Sequence, residues 1–233
     1  MISYLYDIGR KITPHAVRRW LKSRTWFVPL FRTIFGNRVY SEGYFEDIER
    51  IEKKSVPNIA DWICRRIDPQ SIIDVGCGPG HMMESLEIRG VDTFGIDISD
   101  AALRRTRKKG LEVERFDLRS EAPLPGGEYD LAVCCEVAEH IEEKYAASLV
   151  QKLTDVAPIV YMTAAEPDGP PGLFHVNEQE HDYWIRLMEA QGYHYEEDLT
   201  MDARRVLNKR SVVSHLARPL IFSANKNALP NKR

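Results

Sequence analysis

Five short apolar runs recur through the middle of the chain, and stretches with helical periodicity separate several of them. The runs cover residues 71–75, 91–96, 111–116, 129–135 and 158–163. The helix candidates between them are residues 81–88, 100–109 and 142–157, the last with apolar positions three or four residues apart. Strands that alternate with helices in this way predict a parallel sheet with helices on both faces.

Further elements are predicted on either side of this core. Upstream, residues 41–67 predict two helices parted near Pro57, because the residue before a proline disfavours helical backbone. Downstream, a loop rich in proline and glycine leads into a helix near 179–191, which Gly192 would close. The last two strand-like runs, which would complete the sheet, are residues 193–199 and 220–224.

The pattern and the charge divide the chain into three parts: a helical extension at 1–40, a main domain at 41–225 and a tail at 226–233. The net charge is only -3, yet residues 1–40 carry eight Lys or Arg and one acid, and residues 203–233 carry eight and none. Such basic ends suit a solvated or oligomer-facing periphery, or contact with nucleic acid or an anionic surface. Both interpretations stay open at this point.

The composition narrows the class of protein. With 233 residues, 43% hydrophobic and 29% charged, the chain has an ordinary globular composition. No apolar run approaches the roughly 18–20 residues that a transmembrane helix needs. The start has no pattern of a secretory leader, and four cysteines without a CxxC pair are interpreted as reduced thiols. We therefore expect a cytoplasmic protein with no transmembrane segment.

The junction after the first strand is rich in glycine and reads Asp74-Val-Gly76-Cys-Gly78-Pro-Gly80-His81. Glycines at such a turn let a ligand lie directly against the backbone at the carboxyl edge of the sheet. The GxGxxG fingerprint of dinucleotide cofactors needs a glycine at position 81, where this chain has histidine. A phosphate-binding GxxxxGK[ST] loop is absent as well.

Over residues 70–165 the chain resembles the class I S-adenosylmethionine-dependent methyltransferases, whose first motif is acid-x-Gly-x-Gly-x-Gly. The series continues with Asp97 at the end of the second strand and Asp117-Leu118 after the third. The fourth strand and its end read Tyr-Asp-Leu-Ala-Val-Cys-Cys-Glu-Val-Ala-Glu-His. The resemblance implies an α/β fold of the Rossmann-like, doubly wound type, with a mostly parallel seven-stranded sheet and helices on both faces. It also implies S-adenosylmethionine as cofactor.

The resemblance assigns the methionine part of the cofactor to the glycine loop. Gly76 and Gly78 would let this part approach the backbone, because neither residue has a side chain in the way. Asp74 would hold the ammonium group, directly or through water. Backbone near Cys135 would complete the pocket.

The nucleoside part would bind at the ends of the second and third strands. Asp97 stands about where a carboxylate accepts from both ribose hydroxyls in this topology. Asp117 would accept from the adenine amino group, with Ile98 and Leu118 as apolar walls for the ring. The alternative for Asp97 and Asp117 is that they only cap the helices that follow their strands.

Two histidines are candidates for catalysis on the acceptor side. A hydroxyl acceptor needs a base, and histidine suits that work because its ordinary pKa is about 6.5. His140 follows the fourth strand and His175 lies in the loop after the fifth. The alternatives are a structural hydrogen bond for His140 and, for His175, an exposed loop position beside Asn177 as helix cap.

A metal site is a second interpretation of the same region. Glu136-Val-Ala-Glu139-His140 resembles the Glu-x-x-Glu-His segment of the ubiquinone-pathway O-methyltransferases and of small-RNA 2′-O-methyltransferases. Glu136, Glu139 and His140 could share a helical face and hold a divalent cation, with His175 completing the set. The second consecutive histidine of the RNA-modifying pattern is replaced by Ile141.

These features favour transfer of the methyl group of S-adenosylmethionine to a hydroxyl of a small polyol, sugar or natural-product acceptor. Residues 163–185 resemble small bacterial methyltransferases of glycan and natural-product pathways, and the polar residues 177–180 suit hydroxyl recognition. The alternatives are a metal-assisted 2′-O-methyltransferase of RNA, which would use the basic ends as a phosphate footprint, and a non-catalytic protein that binds S-adenosylmethionine.

Overall fold

A computed structural model describes residues 42–167, 175–210 and 212–225, and residues 42–52 are described as helix only. The predicted helical extension at 1–40 and the tail at 226–233 lie outside the described residues. The helices of the described residues, numbered α1 to α6, are Glu42–Arg66, His81–Glu87, Asp100–Lys108, Ala146–Val156, His181–Ala190 and Glu197–Lys209.

Within the described residues, seven strands form one sheet in the order β3-β2-β1-β4-β5-β7-β6. The strands β1 to β7 are Ser71–Val75, Asp92–Asp97, Val113–Arg115, Leu131–Cys135, Ile159–Thr163, His194–Tyr195 and Leu220–Ser223. The first five strands pair in parallel, whereas β7 runs antiparallel to β5 and β6. The prediction of a mostly parallel, doubly wound, seven-stranded α/β fold is therefore confirmed.

Alternate residues of the buried strands feed two hydrophobic cores, one on each face of the sheet. On one face, Ile72 and Tyr161 pack with Ile59, Ile63 and Leu207, which belong to α1 and α6. The other core contains α4 and α5 side chains, and its sheet residues include Ile73, Val160 and Phe222. Strands buried on both sides give continuous apolar runs, which is the pattern that the sequence carries.

The predicted break at Pro57 is wrong, because α1 continues through this residue. A proline inside a helix removes one backbone hydrogen bond and disfavours the preceding turn. Here the buried stripe of α1 runs past the proline, with Val56, Ile59 and Ile63 packed into the core. This packing outweighs the local preference, as is common for propensity signals.

The predicted strand at 193–199 is also wrong in its second half. Only His194–Tyr195 form a strand, and α6 begins at Glu197. The acids Glu197 and Asp198 lie in the first turn of this helix, where its dipole favours negative charge. The helix near 179–191 is confirmed as His181–Ala190, with Gly192 just beyond its end at φ +81°.

No helix of the described residues combines the length and the apolar character that a membrane crossing demands.

Candidate active site

The glycine loop between β1 and α2 lies at the carboxyl edge of the sheet. Gly76, Gly78 and Gly80 have φ values of +78°, +53° and +78°, which L side chains rarely adopt. The backbone N–H groups of Gly76 and Cys77 donate to the Ile96 carbonyl at 2.8 and 3.0 Å. The loop therefore turns back over β2. Because its glycines have no side chains, its backbone lies directly beside the space beyond the strand ends.

Asp97 fixes this loop to the end of β2. One of its carboxylate oxygens accepts from the Gly78 N–H at 2.9 Å and the other from the Ser99 N–H at 2.7 Å. Burial raises the pKa of Asp97, while these backbone donors lower it. The capping residue of α3 is Ser99, whose hydroxyl accepts from Ala102, so Asp97 does not cap this helix through its own side chain.

Asp74 lies inside β1, is only 4% exposed and stands close enough to Asp97 for their charges to interact. Burial, followed by the charge of Asp97, raises the pKa of Asp74 to about 7. Two carboxylates in one buried place favour a positively charged ligand, because such a ligand restores the charged forms that burial disfavours. This chemistry fits the ammonium and sulfonium groups of S-adenosylmethionine.

Asp117 follows β3 and forms an ion pair with Arg119. The Arg119 guanidinium donates to both of its carboxylate oxygens at 2.8 and 2.7 Å and holds the pKa of Asp117 below its ordinary value. Adenine would thus meet a carboxylate already bound by arginine. Of the two predicted ring walls, Leu118 is buried in the core beneath α4, whereas Ile98 is half-buried.

Cys135 ends β4, and the chain turns sharply directly after it. Glu136 has φ +56°, its backbone N–H is within hydrogen-bond distance of the carbonyl and hydroxyl oxygens of Thr163, and the Thr163 hydroxyl donates to its carboxylate at 2.8 Å. Burial raises the pKa of the Cys135 thiol well above its ordinary value, so the thiol is neutral. The role predicted near Cys135 is one for the backbone, so the neutral thiol leaves that prediction unchanged.

The spacing predicted that Glu136 could share a helical face with Glu139 and His140, and this prediction is wrong. The turn after β4 is a short 3₁₀ helix, Ala138–His140, and Glu136 is held back against Thr163. Within the described residues, the structure instead groups Glu139 and His140 with His175, whose ligand atoms all lie within 4.8 Å of one another. Atoms bound to one metal ion at about 2.0–2.2 Å lie about 3–4 Å apart, so a small contraction would complete such a site.

Glu139 is the most unusual residue of this group. Its side chain is fully buried, and neither carboxylate oxygen makes a hydrogen bond of ordinary geometry with the described residues, although the Ala165 backbone lies close enough to lower its pKa. Burial and then the charge of Glu136 raise the pKa of Glu139 well above its ordinary range. A buried carboxylate with so few donors favours either a proton or a cation, and the His175 Nε2 lies 3.9 Å from its Oε1.

His175 reaches this position although it lies 35 positions after His140 in the sequence. The backbone N–H groups of Val176 and Asn177 donate to the Glu139 carbonyl at 2.8 and 3.1 Å, which ties the two segments together. The two imidazole rings meet edge to face with centroids 4.9 Å apart. The alternative with Asn177 as helix cap does not hold, because α5 begins at His181 with Glu180 before it.

Sequence reasoning missed Thr163 as the partner of Glu136. The predicted sheet contains a signal for this contact. Cys135 and Thr163 are paired at the ends of β4 and β5, so Thr163 lies beside Glu136, the residue that follows Cys135. It also missed a second cluster, formed by Glu166, His181, Arg204 and Arg218, because α6 was not predicted.

The fold and this edge of the sheet define a class of protein, the doubly wound α/β proteins, whose ligands bind beyond the carboxyl ends of the strands. A profile of the family described as methyltransferase domain matches residues 44–200. Among solved structures, magnesium protoporphyrin IX methyltransferase from Synechocystis with bound SAH has a TM-score of 0.53 at 18% identity and covers 77% of this chain and 89% of its own.

Curated relatives match in sequence. Ubiquinone biosynthesis O-methyltransferase of Acinetobacter baumannii is 26% identical over 141 residues, which are 56% of this chain and 55% of that protein. The protein of the same name from Bordetella parapertussis is 34% identical over 95 residues, 37% of each chain. The chain thus spans about half or less of the length of these relatives. It belongs to the methyltransferase domain family.

Proposed function

We propose that the chain transfers the methyl group of S-adenosylmethionine to a hydroxyl oxygen of a small acceptor, beside a divalent cation held by Glu139, His140 and His175. The observation that carries this proposal is the fully buried Glu139 carboxylate, which makes no hydrogen bond of ordinary geometry within the described part of the chain and has two imidazoles beside it. The curated relatives, which are named O-methyltransferases, support the choice of oxygen.

The donor set suits a divalent cation. One carboxylate oxygen and two imidazole nitrogens are hard to borderline ligands, which several divalent metals accept. Such a cation lowers the pKa of a bound hydroxyl, so the acceptor oxygen becomes a better nucleophile near neutral pH. In this assignment His140 and His175 act as ligands, and the base that the sequence predicted at either position is not needed.

The remaining residues align the reaction. The cofactor would be held by Asp74, Asp97 and the glycine loop. Its adenine would lie between Ile98, Leu118 and Asp117, and its methionine part would lie beside the backbone of Cys135. The acceptor then approaches from the Glu139 side of the same sheet edge. Because the methyl group of a sulfonium is already activated, holding the two reactants in line supplies much of the catalysis.

For the acceptor we keep a small polyol, sugar or natural product. The alternative, an RNA ribose, would use the basic ends as a phosphate footprint. Three arginines of the described part of the basic C-terminal segment are instead paired with carboxylates of the protein: Arg205 with Asp202, Arg210 with Asp61 and Arg218 with Glu166. Paired arginines offer less charge to phosphates, which favours the small acceptor. Four free cysteines support a cytoplasmic location.

Metal binding tests the proposal. Calorimetric titration with Mn²⁺ in the presence of S-adenosylhomocysteine should give one site in the full chain. Glu139→Gln and His175→Gln should weaken that site by more than the roughly 10–100-fold typical of outer-shell changes. Glu143→Gln is the matched control, because Glu143 lies on the next turn but is exposed. Equal Mn²⁺ affinity in Glu139→Gln and wild type would contradict the proposal.

A methyl-transfer assay tests the second part of the proposal, that the cation assists transfer to a hydroxyl oxygen. Tritium-labelled S-adenosylmethionine and a panel of sugars, inositols and catechols should give labelled product that chelation abolishes. S-adenosylhomocysteine affinity should survive chelation, because the residues assigned to the cofactor are not those assigned to the metal. Transfer that continues unchanged in chelator would contradict the role of the cation. Cofactor binding without transfer to any acceptor in the panel would favour the non-catalytic alternative, and steeply salt-dependent RNA binding would favour the RNA acceptor.

A further inference from the structure

The hydroxyl of Thr106, on α3, lies against the glycine loop. Thr106 is fully buried, and its Oγ1 lies 2.9 Å from the Gly78 carbonyl oxygen. The methyl group of the same side chain packs beside Gly80, where a Cβ would lie 2.8 Å from the Thr106 Cγ2. Thr106 therefore contacts two glycines of the loop, although it lies 28 positions after Gly78 in the sequence.

The Thr106 hydroxyl has one hydrogen and two carbonyl oxygens within reach. The second carbonyl is that of Ala102, at 3.0 Å, one turn earlier in α3. It already accepts the backbone N–H of Thr106, because α-helical hydrogen bonds join residues four apart. The Cys77 thiol is also close, but burial raises its pKa well above its ordinary value, against the effect of the hydroxyl, so it is neutral and a weak acceptor. Donation to the Gly78 carbonyl is therefore the contact that stabilises the loop.

Gly78 is held by hydrogen bonds on both sides and not by packing. Its N–H donates to Asp97 at 2.9 Å, and its carbonyl accepts from Thr106. A Cβ built on Gly78 would meet no heavy atom of the described residues within 4 Å, its chain neighbours apart, whereas one on Gly76 would meet Val137 at 2.4 Å. The two hydrogen bonds therefore fix the backbone of Gly78, whose φ is +53°.

These two hydrogen bonds concern different parts of the cofactor. Gly78 is assigned to the methionine part, whereas Asp97 is assigned to the ribose. Asp97 is held a second time, by the Ser99 N–H at 2.7 Å, so its position does not depend on Gly78 alone. Loss of the Thr106 contact should therefore disturb the methionine part of the site and leave the nucleoside part in place.

We propose that Thr106 is a positioning residue for the cofactor: its hydroxyl fixes the Gly78 carbonyl, and the loop fixed in this way receives the methionine part. The inference rests on the proposed function for the identity of the cofactor. It adds a residue of α3, outside the loop and the strand ends, that determines how tightly the amino-acid end of the cofactor binds relative to its nucleoside end. Because the sulfonium belongs to the methionine part, the position of the loop also determines where the methyl group lies.

Two ligands that share the nucleoside test this inference by calorimetry on the full chain. S-adenosylhomocysteine contains the amino-acid part, whereas methylthioadenosine has only a methyl group on its sulfur. Thr106→Val keeps the shape of the side chain and removes the hydroxyl. It should weaken S-adenosylhomocysteine binding about three- to tenfold, the usual effect of one hydrogen bond. Its affinity for methylthioadenosine should equal that of the wild type.

Two further variants separate the hydroxyl from general effects. Thr106→Ser keeps the hydroxyl and should retain wild-type affinity for S-adenosylhomocysteine. Thr154→Val is the matched control, because the Thr154 hydroxyl donates to the Gln151 carbonyl of its own helix, α4, at 2.9 Å. This control should leave both affinities unchanged. Equal weakening of both ligands in Thr106→Val, the same loss in Thr106→Ser, or the same loss in Thr154→Val would overturn the proposal.

Amide hydrogen exchange measures the position of the loop without any ligand. Thr106→Val should speed exchange at the Gly78 N–H, because the carbonyl contact no longer holds Gly78 against Asp97. Exchange at the Gly95 N–H, which donates to the Glu112 carbonyl at 3.0 Å, should not change if β2 is intact. Equal exchange at Gly78 in the variant and the wild type would overturn the proposal.

The outcomes distinguish this inference from the proposed function. S-adenosylhomocysteine binding that Thr106→Val leaves unchanged would contradict this inference alone. A selective loss in Thr106→Val together with no Mn²⁺ site would contradict the metal part of the proposed function alone. A wild-type protein that binds neither nucleoside ligand would contradict the assignment of the cofactor, and with it both proposals.

Discussion

The Nδ1 of His175 lies 2.8 Å from Oε1 of Glu178, and this contact orients the imidazole toward Glu139. The carboxylate holds the proton on Nδ1, which leaves the Nε2 lone pair directed toward the buried Glu139 oxygen 3.9 Å away. Histidines that bind metals in proteins are commonly fixed by such an outer carboxylate. Glu178 is therefore a positioning residue for the proposed site.

Removing Glu178 should weaken metal binding without disturbing the cofactor. We expect Glu178→Ala to lower Mn²⁺ affinity about 10–100-fold, the range typical of outer-shell partners, and Glu178→Gln to lower it less because its amide oxygen can still accept. Glu180→Gln, an exposed change in the same segment, should leave the affinity unchanged. Titration with Mn²⁺ measures all three, and wild-type affinity in Glu178→Ala would show that His175 needs no such orientation.

Cofactor affinity should depend on pH through Asp74. Its pKa is raised to about 7, so the folded protein without ligand holds a proton there that the unfolded chain releases near pH 4. This group favours folding at low pH, and its contribution is lost as the pH rises through about 7. A cationic ligand reverses the preference, since it stabilises the carboxylate and displaces the proton.

We therefore expect S-adenosylhomocysteine to bind more tightly as the pH rises from about 5.5 to 7, by up to about tenfold for each pH unit. In the absence of ligand, the thermal stability should fall over the same interval. Calorimetry at a series of pH values measures the first effect and thermal unfolding the second. Asp74→Asn should bind weakly and with a flat profile; an unchanged slope in this variant would assign the proton to another group.

Gly76 is required for two separate reasons. Its φ of +78° suits glycine, and a Cβ built there would lie 2.4 Å from Cγ2 of Val137. Gly110 has φ +82° but nothing within 4 Å of the same position, so Gly110→Ala isolates the cost of the backbone conformation. That cost is about 1–2 kcal/mol.

Gly76→Ala should cost a further ~1–3 kcal/mol from overpacking against Val137, and it should weaken cofactor binding because the loop must shift. The double variant Gly76→Ala/Val137→Ala should recover only the part of the destabilisation that comes from overpacking. Denaturant unfolding of the four proteins measures these energies. If Gly76→Ala lowered the free energy of unfolding no more than Gly110→Ala, the close approach of Val137 would not contribute to the destabilisation.

The sequence predicted most of the parallel half of the sheet, because β1, β2, β4 and β5 are buried on both sides and give unbroken apolar runs. It predicted the strand-end positions of Asp97 and Asp117 for the same reason. It could not show that Asp117 is bound by Arg119 or that His175 joins Glu139, since both contacts depend on how loops fold back. Periodicity carries no information on such contacts.

The antiparallel half was predicted less well, for a physical reason that α6 illustrates. The helix exposes most of its surface, and its apolar stripe is short, with Ala203 and Leu207 as its fully buried hydrophobic members. The strand before it has only two residues. The segment is amphipathic, but few of its positions are apolar, and the strand predicted at 193–199 extended into its first turn, so the helix was not recognised from the sequence.

That packing predicts the stability of variants in α6. Leu207 is fully buried in the core shared with α1, whereas Met201 on the same helix is 55% exposed. Leu207→Ala should destabilise the protein by about 2–5 kcal/mol, the usual cost of a large cavity. Met201→Ala should stay within about 0.5 kcal/mol of wild type, as surface substitutions do. Urea unfolding of both variants measures the difference, and equal stabilities would mean that α6 does not pack on α1.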